Sequence, residues 1–503
     1  MFSENATDRK CDEPHRLATE LSRYVHEAAR EGTAIHVVER GIWTRVRNLG
    51  RHVLGQFIAD QGDGDLGERF TMPDGRVLKR LDEPHPRVYQ SIFGVFELNR
   101  AVYGTREGQK IEFVPLDQRL QLPESGFSYV LQDWDQVLGV EQAFSRVNDI
   151  MGTILGFNQS VDSLERMNRH MARNVESFRR SRPRPPAKEE GQIVVVTADN
   201  KGIPMRRPAD QRPVGSHRKK GEKANKKQMA TVGAVYTVDP KVRTAEEVVA
   251  ALFRDKPQKK KRKDQPVAQH KRGWSSLTME RDGDVRRGQD EVFRWMAQEQ
   301  ARRHPAGEKD IVCLMDGQPS LWEDRRRYVP LDNVVEILDL LHVTPRLWEA
   351  AYLFHREGSN EASVFVRQRL LGILRGQVGY CVGGLRQMGT KRRLRSHKSK
   401  KLHQICNYLE KNRSRMRYDK YLAAGYPIAS GVIEGACRYV VKDRMERAGM
   451  RWTVEGAQAM LDLRSTYVNG QWEDFQNYRI EQENLRLYPH QEALECIDWP
   501  PAA

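Results

Sequence analysis

The chain has 503 residues, 39% hydrophobic and 30% charged, and 84 Lys and Arg against 68 Asp and Glu give a net charge of +16. That length is ample for several domains around a large core, and no apolar run approaches the ~18 residues of a membrane span, so no membrane partner is expected. The excess of base points to a polyanionic partner, nucleic acid first, although a basic surface also serves plain solubility.

In chain order, the N-terminal "MFSENATDRKCDEPH" is polar and acidic, unlike a signal peptide. Residues 16–62 place Leu17, Leu21, Val25 and Ala28 at helical spacing, so 1–80 is expected to be a helical region, broken by "GDGDLG" at 62–67. From Val88 to Pro123, "YQSIFGVFELNRAVYG" and "KIEFVPLD" predict strands joined by "GTREG", a small β-rich module over 81–135. Residues 136–180 return to helix in two amphipathic stretches, with Ser160 as an N-cap. The second stretch bears Arg166, Arg169 and Arg173. Such a pair fits a DNA-binding helix-turn-helix, and equally fits ordinary packed structure. "RRSRPRPPAKEE" reads as a linker, placed at 181–190, with a domain boundary near 190.

Ile193 to Val196 then predict a buried strand that ends at Asp199. A basic run at 217–227, a strand at 228–238 and a helix near 244–254 follow. The strongly basic segment 256–272 suits a mobile loop that grips phosphate. A helix fits 285–303. A second apolar run, Ile311 to Met315, ends in Asp316. The first part of a catalytic core is therefore assigned to 191–343. Residues 344–425 read as a helical insertion, divided at Gly383-Gly384, with a further basic run at 391–401. The last part of the core occupies 426–470, and an irregular tail 471–503. The six cysteines form no C-x-x-C pair, so neither a zinc nor a disulfide framework is indicated, and a reducing cytoplasm fits. Cys313 and Cys437 sit among apolar residues as small core side chains.

Burying an ionised carboxylate costs several kcal/mol unless it is paired or metal-bound. If the two strands that lead to Asp199 and Asp316 are neighbours, ~4.8 Å apart, both carboxylates can converge on one cation. Mg²⁺ prefers such oxygen ligands, and Mn²⁺ accepts them too. Glu434 offers a third carboxylate, at the edge of a helix face set by Ile433, Cys437, Val440 and Val441. With Ser430 as N-cap, a capping-box acid would stand at 433, so capping does not explain Glu434. Arg438 and Lys442 continue outward from it and suit a phosphate backbone. Either aspartate alone also fits a turn or a helix cap. Strand-Asp, strand-Asp and helix-Glu in that order is the layout of an RNase H-like nucleotidyl-transfer core. The expected fold class is α/β: an RNase H-like mixed-sheet core with a helical insertion, preceded by a helical and β-rich DNA-binding region.

"VVVTADNKGIPM", "IVCLMDGQPSLW", "SGVIEGACRYVVKDRMERAGMRWT" and the upstream "SIFGVFELNRAVYGTREGQKIEFVPLDQRLQLP" resemble the blocks of DDE transposases from bacterial insertion sequences. The resemblance is to the ISKra-four type, within the wider group of Mutator-like elements, and spans about residues 80–470. It implies that Asp199, Asp316 and Glu434 bind Mg²⁺ and catalyse strand cleavage at transposon ends and transfer to target DNA. It also implies that the terminal inverted repeats and target DNA are the partners. A homo-oligomer on DNA follows from the need to hold two ends. Relatives often carry Cys or Asp, two residues, then His after the second Asp; "DLLH" gives Asp339 and His342, in a supporting or DNA-end-positioning role. Two other readings stay open: a structure-selective nuclease without strand transfer, and a DNA-binding regulator in which the acids are structural. The absence of G-x-x-x-x-G-K-[ST] and of H-E-x-x-H argues against ATP use and zinc proteolysis.

Overall fold

The computed structural model describes residues 6–105, 111–206, 227–255, 266–281, 283–304, 307–330, 333–447 and 449–491. Most of the basic segments expected at 217–227 and 256–272, and part of the "GTREG" turn, lie outside these residues. The chain divides into two units: Met1–Asn174 with Glu473–Ala503, and Val175–Trp472.

The first unit opens with α1 (Ala6–Glu31) and α2 (Ile35–Ala59). They are separated at Gly32, whose φ of +64° favours glycine. Strands β1 (Arg69–Thr71), β2 (Val77–Arg80), β3 (Arg87–Ser91), β4 (Gly94–Leu98) and β5 (Tyr103–Gly104) follow. They form a β1-β2-β5 sheet and a β3-β4 hairpin, so strand structure begins ahead of residue 81. "KIEFVPLD" is not a full strand. Phe113 makes one bridge to Tyr103, and α3 (Pro115–Arg119) begins directly after Val114. Pro115 fixes a helical φ at a position where its missing N–H costs nothing. Helices α4 (Tyr129–Gly139), α5 (Phe144–Leu155) and α6 (Val161–Ala172) complete the N-terminal part. The Ser160 hydroxyl caps α6 by accepting the Ser163 N–H at 3.0 Å.

Of the expected irregular tail 471–503, residues 492–503 lie outside the described ones, and Trp472–Leu487 form a helix. Its buried residues are Phe475, Gln476, Arg479 and Glu483, so three of the four are polar. The fully buried Arg479 donates to Gln132 and Gln476 at 3.0 Å each. A helix docked through hydrogen bonds carries little hydrophobic periodicity.

The second unit is a mixed α/β structure. Its elements run α7 (Val175–Ser181), β6 (Ile193–Pro204), β7 (Lys227–Val238), α8 (Ala245–Leu252), β8 (Gln269–Leu277), β9 (Met279–Arg281), β10 (Asp284–Arg286), α9 (Gly288–Arg303), β11 (Asp310–Met315), α10 (Pro319–Tyr328) and β12 (Val334–Leu338). Five strands form one sheet in the order β12-β11-β6-β7-β8. The pairs β6–β7 and β7–β8 are antiparallel, whereas β6–β11 and β11–β12 are parallel. Ile193, Val195, Val312 and Leu314 face one apolar cluster, and Val194, Val196, Cys313 and Met315 face another. Burial on both faces is why these strands read as continuous apolar runs.

The strand β6 does not stop at Asp199. It continues to Pro204 against β7, whereas β11 pairs with it only from Ile193 to Val196. Asp199 stands where β6 loses one neighbour and becomes half-buried. The strand β8 has no apolar signature in its first half, "QHKR".

Beyond β12 the chain is helical: α11 (Leu340–Phe354), α12 (Asn360–Leu374), α13 (Val378–Lys391), α14 (Ser396–Lys411) and α15 (Tyr418–Ala423). Gly383-Gly384 does not divide two helices, since α13 runs through both. Burial of Val378, Cys381, Val382 and Leu385 holds that helix against the ~1 kcal/mol that each internal glycine costs. Then come α16 (Gly431–Ala436), a π-helical turn (Cys437–Lys442), α17 (Asp443–Met445) and α18 (Val454–Val468). Among the described residues no helix is long and apolar enough to cross a membrane.

Candidate active site

The parallel pairing of β6 and β11 sets the site. Val196 lies opposite Cys313. Asp199 and Asp316 are each three residues further on, Asp199 still paired with Val232 of β7 and Asp316 just past the end of β11. The turn after β11 is tied to β6 by side chains: Asn200 Nδ2 donates to Gln318 Oε1 at 3.1 Å, and Thr231 holds Asn200 Oδ1 at 2.7 Å.

His342 stands between the acids. Its Nδ1 is 3.7 Å from Asp316 Oδ1 and its Nε2 is 3.6 Å from Glu434 Oε1. Asp199, His342 and Glu434 each offer a ligand atom, all within 4.8 Å of one another. The structure thus gathers Asp199, Asp316 and Glu434 around the imidazole, which sequence reasoning had placed outside the metal-binding set. Glu434 sits in the first turn of α16, capped by the Ser430 hydroxyl. Ile433, Cys437, Val440 and Val441 are buried as expected. The helix widens to π geometry directly after Ala436, a distortion frequent beside functional residues.

Each aspartate has a fixed partner. Tyr408 on α14 donates its hydroxyl proton to Asp316 Oδ1 at 2.9 Å, and the Gly317 N–H donates to the same oxygen. The indole of Trp322 donates to the Asp316 carbonyl at 2.7 Å. Burial, followed by the adjacent Asp316 charge, raises the Tyr408 hydroxyl pKa, so it stays a donor. A Cβ on Gly317 would come within 2.6 Å of the Tyr408 ring and 2.8 Å of Asn412, so this close seating needs glycine. Cys437 Sγ lies 3.6 Å from Asp199 Oδ2 as a weak S–H donor. Burial, then proximity to Asp199, raises its thiol pKa and keeps it protonated.

Asp339 has a different place from His342. It is fully buried and brackets two helix starts: Oδ1 accepts the Leu341 N–H at 2.8 Å, and Oδ2 accepts the Ser430 N–H at 3.1 Å. It thereby fixes the helix that carries His342 to the helix that carries Glu434. Desolvation lifts its pKa to about 6, against the lowering effect of those two N–H donors. Arg438 and Lys442 are exposed on the π turn, with Arg438 3.4 Å from Asp443. Arg166 and Arg169 lie on α6 and Arg173 caps it, in the first unit.

Tyr408 was missed because it lies in the helical insertion, far along the chain from Asp316, with no local pattern to mark it. Cys437 was assigned to the core by its apolar neighbours; its position three residues after Glu434 was the available signal.

No family model matches the sequence, and no curated protein matches it. Among solved structures the chain is similar to the "Drosophila P element transposase strand transfer complex", with a TM-score of 0.24 and 9% sequence identity. That match covers 78% of this chain and 90% of the other. Superposition this loose does not define a common fold.

Proposed function

We propose that the chain is a metal-dependent nucleotidyl transferase acting on DNA, with an RNase H-like core and the activity of a DDE transposase. One observation carries this: Asp199 on β6 and Asp316 just past the adjacent parallel strand β11 meet a helix-borne glutamate around one histidine. Asp199 and Glu434 offer hard carboxylate oxygens, and His342 adds a nitrogen. This donor set fits Mn²⁺ or Mg²⁺, with the imidazole favouring Mn²⁺. Divalent ions held there would supply Lewis-acid activation of the attacking oxygen and stabilise the leaving 3′ oxygen of a phosphodiester.

The protein's own part is to fix the ligands. Tyr408 and the Gly317 N–H hold Asp316 in one rotamer, Asp339 fixes the helices of His342 and Glu434 to each other, and Cys437 meets Asp199. Exposed Arg438 and Lys442 supply cations near Glu434 for a phosphate backbone. No protein nucleophile is required, so no covalent protein–DNA intermediate forms. Freed 3′ ends would then attack a target phosphodiester at the same site.

The test is incubation of the chain with the DNA that flanks its gene, in Mn²⁺ or Mg²⁺. Cut and joined products are expected, and Asp316→Asn should abolish both while leaving DNA binding largely intact. Cutting of branched DNA regardless of end sequence, without joining, would indicate a structure-selective nuclease. Binding without any cutting would indicate a regulator.

A further inference from the structure

In the first unit, α6 faces a pocket of about 400 Å³, within the ~300–1,000 Å³ range of small-ligand sites. Arg166, Arg169 and Arg173 line it with His170, Phe127 and Met167, and among the described residues no acidic residue lines it, Glu483 lying 3.9 Å from His170 Nε2. The pocket therefore joins a cationic wall to an apolar one. Both walls are anchored. Backbone bonds from Gln90 to Gly126 and Ser128, at 2.7 and 2.8 Å, pin the segment that carries Phe127. Below it, the buried Gln132 donates to the Phe127 carbonyl at 2.7 Å and to Ser125 Oγ at 3.1 Å, while accepting from Arg479. The arginines are not locked. Arg166 pairs with Asp162 at 3.4 Å and donates to Ser163 Oγ at 3.3 Å, and Arg169 pairs with Glu165 at 3.8 Å, all at exposed positions, and such contacts contribute little.

We propose that this pocket holds one phosphorylated nucleoside, its base against Phe127 and Met167 and its phosphate on Arg166, Arg169 and Arg173. The guanidinium fork suits phosphate oxygens, and an aromatic face accepts any base. A base can reach Phe127 only when unstacked, so a single strand or a frayed end should bind better than intact duplex. The same arginines on a helix that entered a major groove would show the opposite preference.

The test uses the full chain in EDTA, with fluorescence anisotropy of a labelled 12-nucleotide single strand and of the blunt duplex. The single strand is expected to bind more tightly. Arg169→Ala with Arg173→Ala, and separately Phe127→Ala, should each weaken single-strand binding ~tenfold, the scale of one stacked base or its phosphate contacts. Arg146→Ala, which removes an exposed charge from α5, should change it less than ~twofold. Arg169→Lys with Arg173→Lys keeps the charge and separates loss of the fork from loss of fold. Competition by dAMP as effective as the oligonucleotide supports the pocket with a free nucleotide as its occupant. Competition by oligonucleotide alone supports a strand. Wild-type binding by the Phe127 and double-arginine variants, or duplex preference lost with the arginines and indifferent to Phe127, overturns the proposal. Because no metal is present, this result is independent of the chemistry at Asp199, Asp316 and Glu434.

Discussion

Tyr408 and Asp135 show how single side chains set the properties of this protein. The Tyr408 hydroxyl and the Gly317 N–H both occupy Oδ1 of Asp316, which keeps that carboxylate turned toward His342. A hydrogen bond to a charged group is worth about 1.5–3 kcal/mol. Tyr408→Phe leaves the ring packed and removes only that bond. It is expected to raise the Mn²⁺ concentration for half-maximal cleavage about tenfold, with the rate at saturating metal changed far less. An unchanged metal requirement would remove Tyr408 from the site. Asp135 on α4 is buried, and desolvation lifts its carboxyl to about 7, with Gln159 nearby opposing the shift. Its folded pKa therefore lies above that of the unfolded chain, ~3.9. Between those values the folded state holds the extra proton, so its contribution to stability falls as pH rises from about 4 to 7 and stays low above. Asp135→Asn is expected to raise the melting temperature at pH 8 by several degrees and to have no effect at pH 4, as differential scanning calorimetry would record.

At the level of elements, the two strands β6 and β11 were legible because strands buried on both faces are apolar at every position, and each run points to its aspartate, whereas their parallel pairing comes from the structure. The continuation of β6 past Asp199 was hidden, since it depends on where β11 stops pairing. The helix Trp472–Leu487 was hidden for another reason: its buried face is Gln476, Arg479 and Glu483 beside one Phe, a pattern that hydrophobic periodicity scores as solvent-facing. In α13 the Gly383-Gly384 pair suggested a break, yet a Cβ at either position would meet nothing within 4 Å. Gly383→Ala and Gly384→Ala should therefore each stabilise the fold by up to about 1 kcal/mol through helix propensity, readable as a higher denaturation midpoint. A loss of stability would mean that the two glycines serve a close approach in the working assembly.

For the whole molecule, the proposed function rests on the net charge of +16 and on three acids that are far apart in sequence and close in space. The three acids could be singled out in the sequence because the ends of apolar runs and a helix edge are local signals. The sequence did not carry the seating of His342 among them, which follows from Asp339 bracketing the starts of α11 and α16. The same separation along the chain makes the site easy to dissect, since each acid comes from a different element. Electron paramagnetic resonance of Mn²⁺ titrated into the full chain is the most direct probe. If Asp199, Asp316 and Glu434 share one metal site, Asp199→Asn, Asp316→Asn and Glu434→Gln should each weaken bound Mn²⁺ at least ~tenfold and alter its spectrum. Bound Mn²⁺ that is indifferent to all three substitutions would contradict the shared site.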